Sequence, residues 1–146
     1  MKIAIASDHA GFKYKTEISE YVKSKGHQVL DFGTYSEESV DYPDFAFPAA
    51  ESVASQISDY GILICGTGIG MSIVANKVTG IRAALCTSPY MAEMARKHNN
   101  ANIICFGART TKLEDIKQMI DIFLTEDFLG DRHMIRVEKI HNLTGN

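Results

Sequence analysis

The feature that most limits what this chain can fold into is a regular alternation of short apolar runs with stretches of helical spacing. Ile3 to Ala6, Val29-Leu30 ending at Asp31, Ile62-Leu63-Ile64-Cys65, Ile81 to Cys86 and Ile103-Ile104-Cys105-Phe106 read as strands. Between them, Tyr14, Ile18, Tyr21 and Val22 recur at helical spacing, and Gly26 gives a stop. A loop from Gly33 to Pro43 leads into an alanine-rich helix from about Phe45 to Ile57. A helix follows the glycine-rich turn after Cys65, and another spans Pro89 to His98. Leu113, Ile116, Ile120 and Phe123 mark a further helix, and a last segment runs from about Asp131 to His141. Strands that are apolar on every residue must be covered on both faces, which calls for a parallel sheet between two helix layers. The expected fold class is therefore α/β: three layers, doubly wound, with about five parallel strands.

The 146 residues suffice for one such domain, and no linker, repeat or low-complexity tract divides residues 1–146. Formal net charge is −3 and the sequence pI is about 5.9, which argues against a broad nucleic-acid or anionic-membrane surface. Cys65, Cys86 and Cys105 are odd in number and form no C-x-x-C pair, so neither a disulfide framework nor a structural zinc site is expected. The opening Met1 to Ser7 turns polar too soon for a signal-peptide core or a span, and a cytoplasmic location is expected.

In a doubly wound sheet, ligands bind beyond the carboxyl ends of the strands. Strand one ends in Ser7-Asp8-His9-Ala10-Gly11, strand three in Cys65-Gly66-Thr67-Gly68-Ile69-Gly70-Met71-Ser72, and strand five in Gly107-Ala108-Arg109. The fourth helix ends in His98-Asn99-Asn100, which reads as part of the same gathering of polar groups. Gly66, Gly68 and Gly70 allow a tight turn and close approach to an anionic ligand, or they serve a plain strand-to-helix turn. They do not complete G-x-G-x-x-G, because the sixth residue is Met71 or Ile73, and no Gly-Lys-Ser/Thr follows. Cys65, last in its strand and next to a helix start, stands where a thiolate is favoured and could act as base or nucleophile. Cys86 and Cys105 read as small buried hydrophobes.

His98 either interacts with the end of its helix or moves protons, and Asp8-His9 either cap a helix or join such chemistry. Arg132 and Arg136 share a helix face at i and i+4. They suit either a solvated face with partners such as Glu138 or a forked grip on one phosphate.

Taken together, Ser7 to Phe12, Asp41-Tyr42-Pro43, Cys65 to Ser72, Ala75-Asn76-Lys77, Gly80 to Ala83, His98-Asn99, Phe106 to Arg109 and Arg132 to Glu138 resemble the type B ribose-5-phosphate isomerases. That wider family also holds galactose-6-phosphate and allose-6-phosphate isomerases. The resemblance spans nearly the whole chain and implies a Rossmann-like sheet acting without cofactor or metal. It implies a homodimer, sometimes a tetramer, with sites at the subunit interface and a phosphosugar as substrate. It also implies interconversion of D-ribose 5-phosphate and D-ribulose 5-phosphate in the pentose phosphate pathway. Cys65 would be the base, and Thr67 with the backbone N–H groups of Gly66, Gly68, Ile69 and Gly70 would stabilise an enediolate. Ser72 belongs to the same motif. His98 would open the sugar ring and Asp8 would assist proton transfer. His9, Arg132 and Arg136 would hold phosphate, joined by Arg109 of a neighbouring subunit, and Tyr42 and Asn99 would line the sugar. The alternatives are a hexose-phosphate isomerase and a non-catalytic phosphate- or nucleotide-binding module.

Overall fold

The computed structural model describes residues 1–145. Eleven elements follow in chain order. They are β1 (Lys2–Ser7), α1 (Phe12–Ser24), β2 (Gln28–Asp31), α2 (Pro43–Ala54), β3 (Tyr60–Cys65) and α3 (Ile69–Ala75). After these come β4 (Ala83–Leu85), α4 (Pro89–Lys97), β5 (Ile103–Gly107), α5 (Leu113–Thr125) and α6 (Asp131–Thr144). All five strands are parallel, in the order β2-β1-β3-β5-β4, and the expected α/β class holds.

Side chains alternate across the pleat and sort the core into two layers. On one face Ile3, Ile5, Ile62, Ile64, Ile104 and Phe106 pack with Ile18 and Val22 of α1 and with Ile116, Ile120 and Phe123 of α5. On the other, Ala4, Ala6, Leu63 and Cys65 meet Ala46, Ala49 and Ala50 of α2 and Met71 and Ala75 of α3. The small side chains of β1 on this second face let the alanine-rich α2 approach closely. Truncating a fully buried isoleucine such as Ile62 to alanine costs about 2–5 kcal/mol in such a core.

Several boundaries differ from the expectation, α6 for one running on to Thr144, and two of the differences have a clear local cause. Helix α2 stops at Ala54 rather than Ile57, because Gln56 turns left-handed at φ 61° and the Ile57 N–H returns to the Ser52 carbonyl. The strand expected over Ile81 to Cys86 keeps its ladder only from Ala83 to Leu85. It lies at the sheet edge with β5 as its one partner. Before it, Asn102 takes over the pairing: its side-chain oxygen accepts the Arg82 N–H at 2.8 Å, and its own N–H donates to the Arg82 carbonyl at 3.1 Å.

Candidate active site

The chain leaves β1 to one side for β2 and then returns to the other side of β1 for β3. Such a reversal opens a crevice at the carboxyl ends of β1 and β3. Asp8, nearly buried, donates its N–H to the Ile64 carbonyl at 3.2 Å, and its Oδ1 accepts the Gly11 N–H at 3.0 Å. The carboxylate is thus fixed beside the end of β3. His9 follows, and its Nδ1 accepts the Val40 N–H at 3.2 Å.

At the end of β3 the Cys65 side chain is buried, and its Sγ accepts the Gly68 N–H at 3.1 Å. Gly68 is left-handed at φ 79°, and a Cβ there would stand 2.5 Å from Leu85 Cδ1 and 2.8 Å from the Phe106 carbonyl carbon. The turn is therefore built against the backbone of β5. The Ala108 and Arg109 N–H groups close it by donating to the Cys65 and Gly66 carbonyls at 2.8 and 3.0 Å. Thr67 is exposed, and its Oγ1 accepts the Ile69 N–H at 3.4 Å. The Ser72 hydroxyl donates to the Ile69 carbonyl at 2.8 Å, so it is engaged within α3. The Tyr42 ring comes to 2.8 Å from where a Cβ on Gly70 would stand. The Arg109 guanidinium nitrogen lies 3.4 Å from the equivalent point on Gly66 of its own chain, a placement the resemblance did not imply. Burial pushes the Cys86 thiol up to about 12 and the Cys105 thiol well above its ordinary value.

The remaining candidates lie elsewhere, and here the sequence reading is corrected. A crossover helix runs antiparallel to the strands it joins, so the end of α4 faces the amino end of the sheet, not the carboxyl end. His98 caps α4 a few residues before β5 begins at Ile103. The buried Arg96 guanidinium donates to the hydroxyl of Tyr60 at 3.0 Å, and Tyr60 is the first residue of the strand that Cys65 ends. At roughly 3.3 Å per residue, the two ends of β3 are about 16 Å apart. Arg96 also donates to the Ala101 carbonyl and the Asn100 side chain, at 2.6 and 3.1 Å, and so fixes the His98-Asn99-Asn100 turn.

Helix α6 is tied to this region through the Leu129 N–H, which donates to the Lys97 carbonyl at 3.1 Å. It brings His133 onto His98, ring centroids 4.1 Å apart and planes 8° from parallel. Arg132 and Arg136 flank that stack, exposed. Desolvation, then the nearby His98, Arg132 and Arg136, hold the His133 imidazole below its usual range despite the opposing pull of Asp131. His133 had no role assigned from the sequence. Its signal was its register with Val137 at i and i+4, the two positions α6 buries. The chain therefore holds two sets: Asp8, His9, Tyr42, Cys65 to Gly70 and Arg109 in one, and His98, Asn99, Arg132 and Arg136 in the other. Among the described residues no three His, Cys, Asp or Glu side chains are grouped as a cation would need, and no helix is long and apolar enough to cross a membrane.

The pattern of the Ribose/Galactose Isomerase family matches residues 3–140. Ribose-5-phosphate isomerase B of Escherichia coli is 48% identical over 139 residues, covering 95% of this chain and 93% of that protein. The structure of ribose-5-phosphate isomerase B from Clostridium thermocellum superposes with a TM-score of 0.98 at 52% identity, covering 99% of this chain and 98% of that one. The enzyme of the same name from Mycoplasma genitalium, solved with bound ribulose-5-phosphate, gives a TM-score of 0.94 at 44% identity, covering 99% and 97%.

Proposed function

This chain belongs to the ribose/galactose isomerase family, and on that premise we propose that it interconverts D-ribose 5-phosphate and D-ribulose 5-phosphate in the pentose phosphate pathway. One observation carries the chemistry: a thiol at the switch-point crevice, its sulfur accepting a backbone N–H at 3.1 Å. That bond strengthens when the sulfur is anionic, and a thiolate is the form that acts as a base. Cys65 takes the proton from C2 of the open-chain aldose and returns it to C1, and the reverse reaction runs the same path backwards. Negative charge develops on the sugar oxygens during transfer. Preorganised donors aimed at such an oxygen supply the largest stabilisation, and Thr67 with the N–H groups of Gly66 and Gly70 fill that role. The Gly68 N–H is directed at the sulfur and serves the base instead, while the Ile69 N–H serves Thr67. Asp8, fixed beside β3, relays protons at the sugar oxygens.

The second set acts from a neighbouring subunit. His98 opens the furanose ring, Asn99 lines the sugar opposite Tyr42 of the first set, and Arg132 and Arg136 hold the phosphate together with His9 of the first set. Binding the phosphate away from the reacting carbons aligns C1 and C2 with Cys65. The length of β3, about 16 Å between the end near Arg96 and the end at Cys65, supports a site shared between two chains. Arg109 rests on its own Gly66 turn, so it reaches the phosphate either there or by swinging across the interface. A homodimer also answers the edge of the sheet. Beside β4 a groove of about 570 Å³ is lined by Leu85, Tyr90, Met91, Met94 and Ile140, among others. An open strand edge next to an apolar groove invites a second copy. The reading places the enzyme in the cytoplasm, where the three free cysteines stay reduced.

The test is kcat/KM for ribose 5-phosphate, allose 6-phosphate and galactose 6-phosphate, with chelator present throughout. Ribose 5-phosphate is expected to lead. One methylene is worth only ~1–3 kcal/mol in a pocket, so some activity on allose 6-phosphate is compatible with the assignment. A clear preference for a hexose phosphate would replace it, and tight nucleotide binding with no turnover of any sugar phosphate would reject the enzyme reading.

A further inference from the structure

Lys15 is among the largest fully buried side chains of the protein, 2% exposed, and it stands in none of the roles assigned so far. Burying an ammonium is costly unless it is paired and hydrogen-bonded, and an apolar residue of similar length would fill the same space without that cost. Its position must therefore be read from what it holds. Its Nζ donates to both carboxylate oxygens of Asp31, at 2.5 and 2.6 Å, where β2 ends. It also lies 5.0 Å from the centre of the Tyr35 ring and 5.9 Å from that of Phe12.

Asp31 in turn gathers the segment that follows β2. Its Oδ1 accepts the Gly33 N–H at 2.8 Å, and its carbonyl accepts the Tyr35 hydroxyl at 3.1 Å. The next pair clasps the end of β1, the Ser7 N–H donating to the Gly33 carbonyl at 2.6 Å and the Thr34 N–H to the Ser7 carbonyl at 2.7 Å. The segment then passes His9, where the Val40 N–H donates to Nδ1 at 3.2 Å, and it ends at Tyr42 against Gly70. One stretch of ten residues thus touches the candidate phosphate and sugar groups in turn, and its root is Lys15–Asp31.

The bond at His9 has a chemical consequence. A ring nitrogen that accepts a backbone N–H carries no proton, so the neutral imidazole must carry its proton on Nε2. Nε2 is then a donor, which is what an anionic oxygen needs.

We propose that Lys15 is a positioning residue: with Asp31 it anchors the segment from Gly33 to Tyr42, and through the Val40 N–H that segment locks His9 in the Nε2-protonated tautomer that binds phosphate. The proposal rests on the phosphate role given to His9 above, but its main readout does not depend on turnover. Long-range ¹H–¹⁵N NMR of the intact protein reports which ring nitrogen of His9 is protonated. In the wild type Nδ1 is expected bare. In Lys15→Met, which leaves Asp31 half exposed to water, and in Lys15→Met/Asp31→Asn, a mixture of tautomers is expected. The Kd for inorganic phosphate should rise about tenfold, and kcat/KM for ribose 5-phosphate should fall chiefly through KM. A wild-type His9 protonated on Nδ1 overturns the proposal even if neither variant folds. So does a folded Lys15→Met protein with an unchanged His9 tautomer and unchanged phosphate affinity, which would leave Lys15 a stabilising residue only.

Discussion

Three cysteines of one chain illustrate how far environment outweighs residue type. All three are buried; desolvation holds Cys86 and Cys105 as thiols, and the Cys65 sulfur accepts the Gly68 N–H at 3.1 Å at the end of its strand. A general base typically contributes 10²–10⁴-fold, so a folded Cys65→Ala protein should lose at least roughly 10²-fold in kcat. Cys86→Ala and Cys105→Ala should change thermal stability far more than turnover. Steady-state kinetics on the three purified variants, with circular dichroism to confirm folding, checks both statements, and near-wild-type turnover by Cys65→Ala would remove it as the base. A second residue-scale prediction concerns His133. Its folded pKa is lowered, so the unfolded chain takes up this proton first as pH falls past the ordinary imidazole value of about 6.5. Stability from this group is complete above that value and is lost on acidification through the folded pKa. The wild-type Tm should therefore fall between pH 7 and pH 5, and His133→Phe, which keeps a ring against His98 without a titrating nitrogen, should fall less steeply. An equal slope in both proteins would contradict the assignment. The register with Val137 marks His133 as a buried position of its helix, but its significance lies in a ring contact with His98 of another helix, which linear order does not record.

The elements were read from the sequence where one local cause sets them, and misread where a neighbour does. Strands β1, β3 and β5 carry unbroken apolar runs, and α1 carries Ile18 and Val22 at helical spacing, so hydrophobic pattern alone placed them. The end of α2 depends on a left-handed Gln56, and the start of β4 on an asparagine side chain from another segment, neither of which periodicity records. The glycine spacing marks a turn, but which glycine the turn depends on is set by what packs against it. Gly68 is both left-handed and pressed on the Phe106 backbone, which cannot yield, whereas a Cβ on Gly70 would meet only the Tyr42 ring, which can swing aside. Gly68→Ala should therefore cost about 2–4 kcal/mol, from backbone strain and overpacking together. Gly70→Ala should fold nearly as well as wild type but raise KM severalfold by displacing Tyr42. Urea melts set beside Michaelis curves separate the two, and a Gly68→Ala protein as stable as wild type would show that β5 does not confine the turn.

At the scale of the molecule, what the sequence could not supply was direction. It identified His98, Asn99, Arg132 and Arg136 as chemically interesting, but linear order does not say at which end of a sheet a helix terminates. The fold does: α4 ends beside the first residues of β3, β4 and β5, while Cys65 closes β3 at its far end. If the two sets belong to one reaction, each working site takes Cys65 from one subunit and His98 from another. A two-fold dimer then has two such sites, each built from both chains. Cys65→Ala and His98→Ala homodimers are both expected to be inactive, because every site in each lacks one group. Mixed equally and allowed to exchange, half the dimers become hybrids, and each hybrid carries one site with both substitutions and one site with neither. Activity should rise from near zero to about a quarter of wild type, and it should rise at the rate of subunit exchange. Native mass spectrometry of the same samples measures the hybrid fraction independently. Hybrids present in the expected proportion without recovered turnover would show that His98 and Cys65 do not meet across a subunit boundary, and full activity in a monomer at assay concentration would show the same.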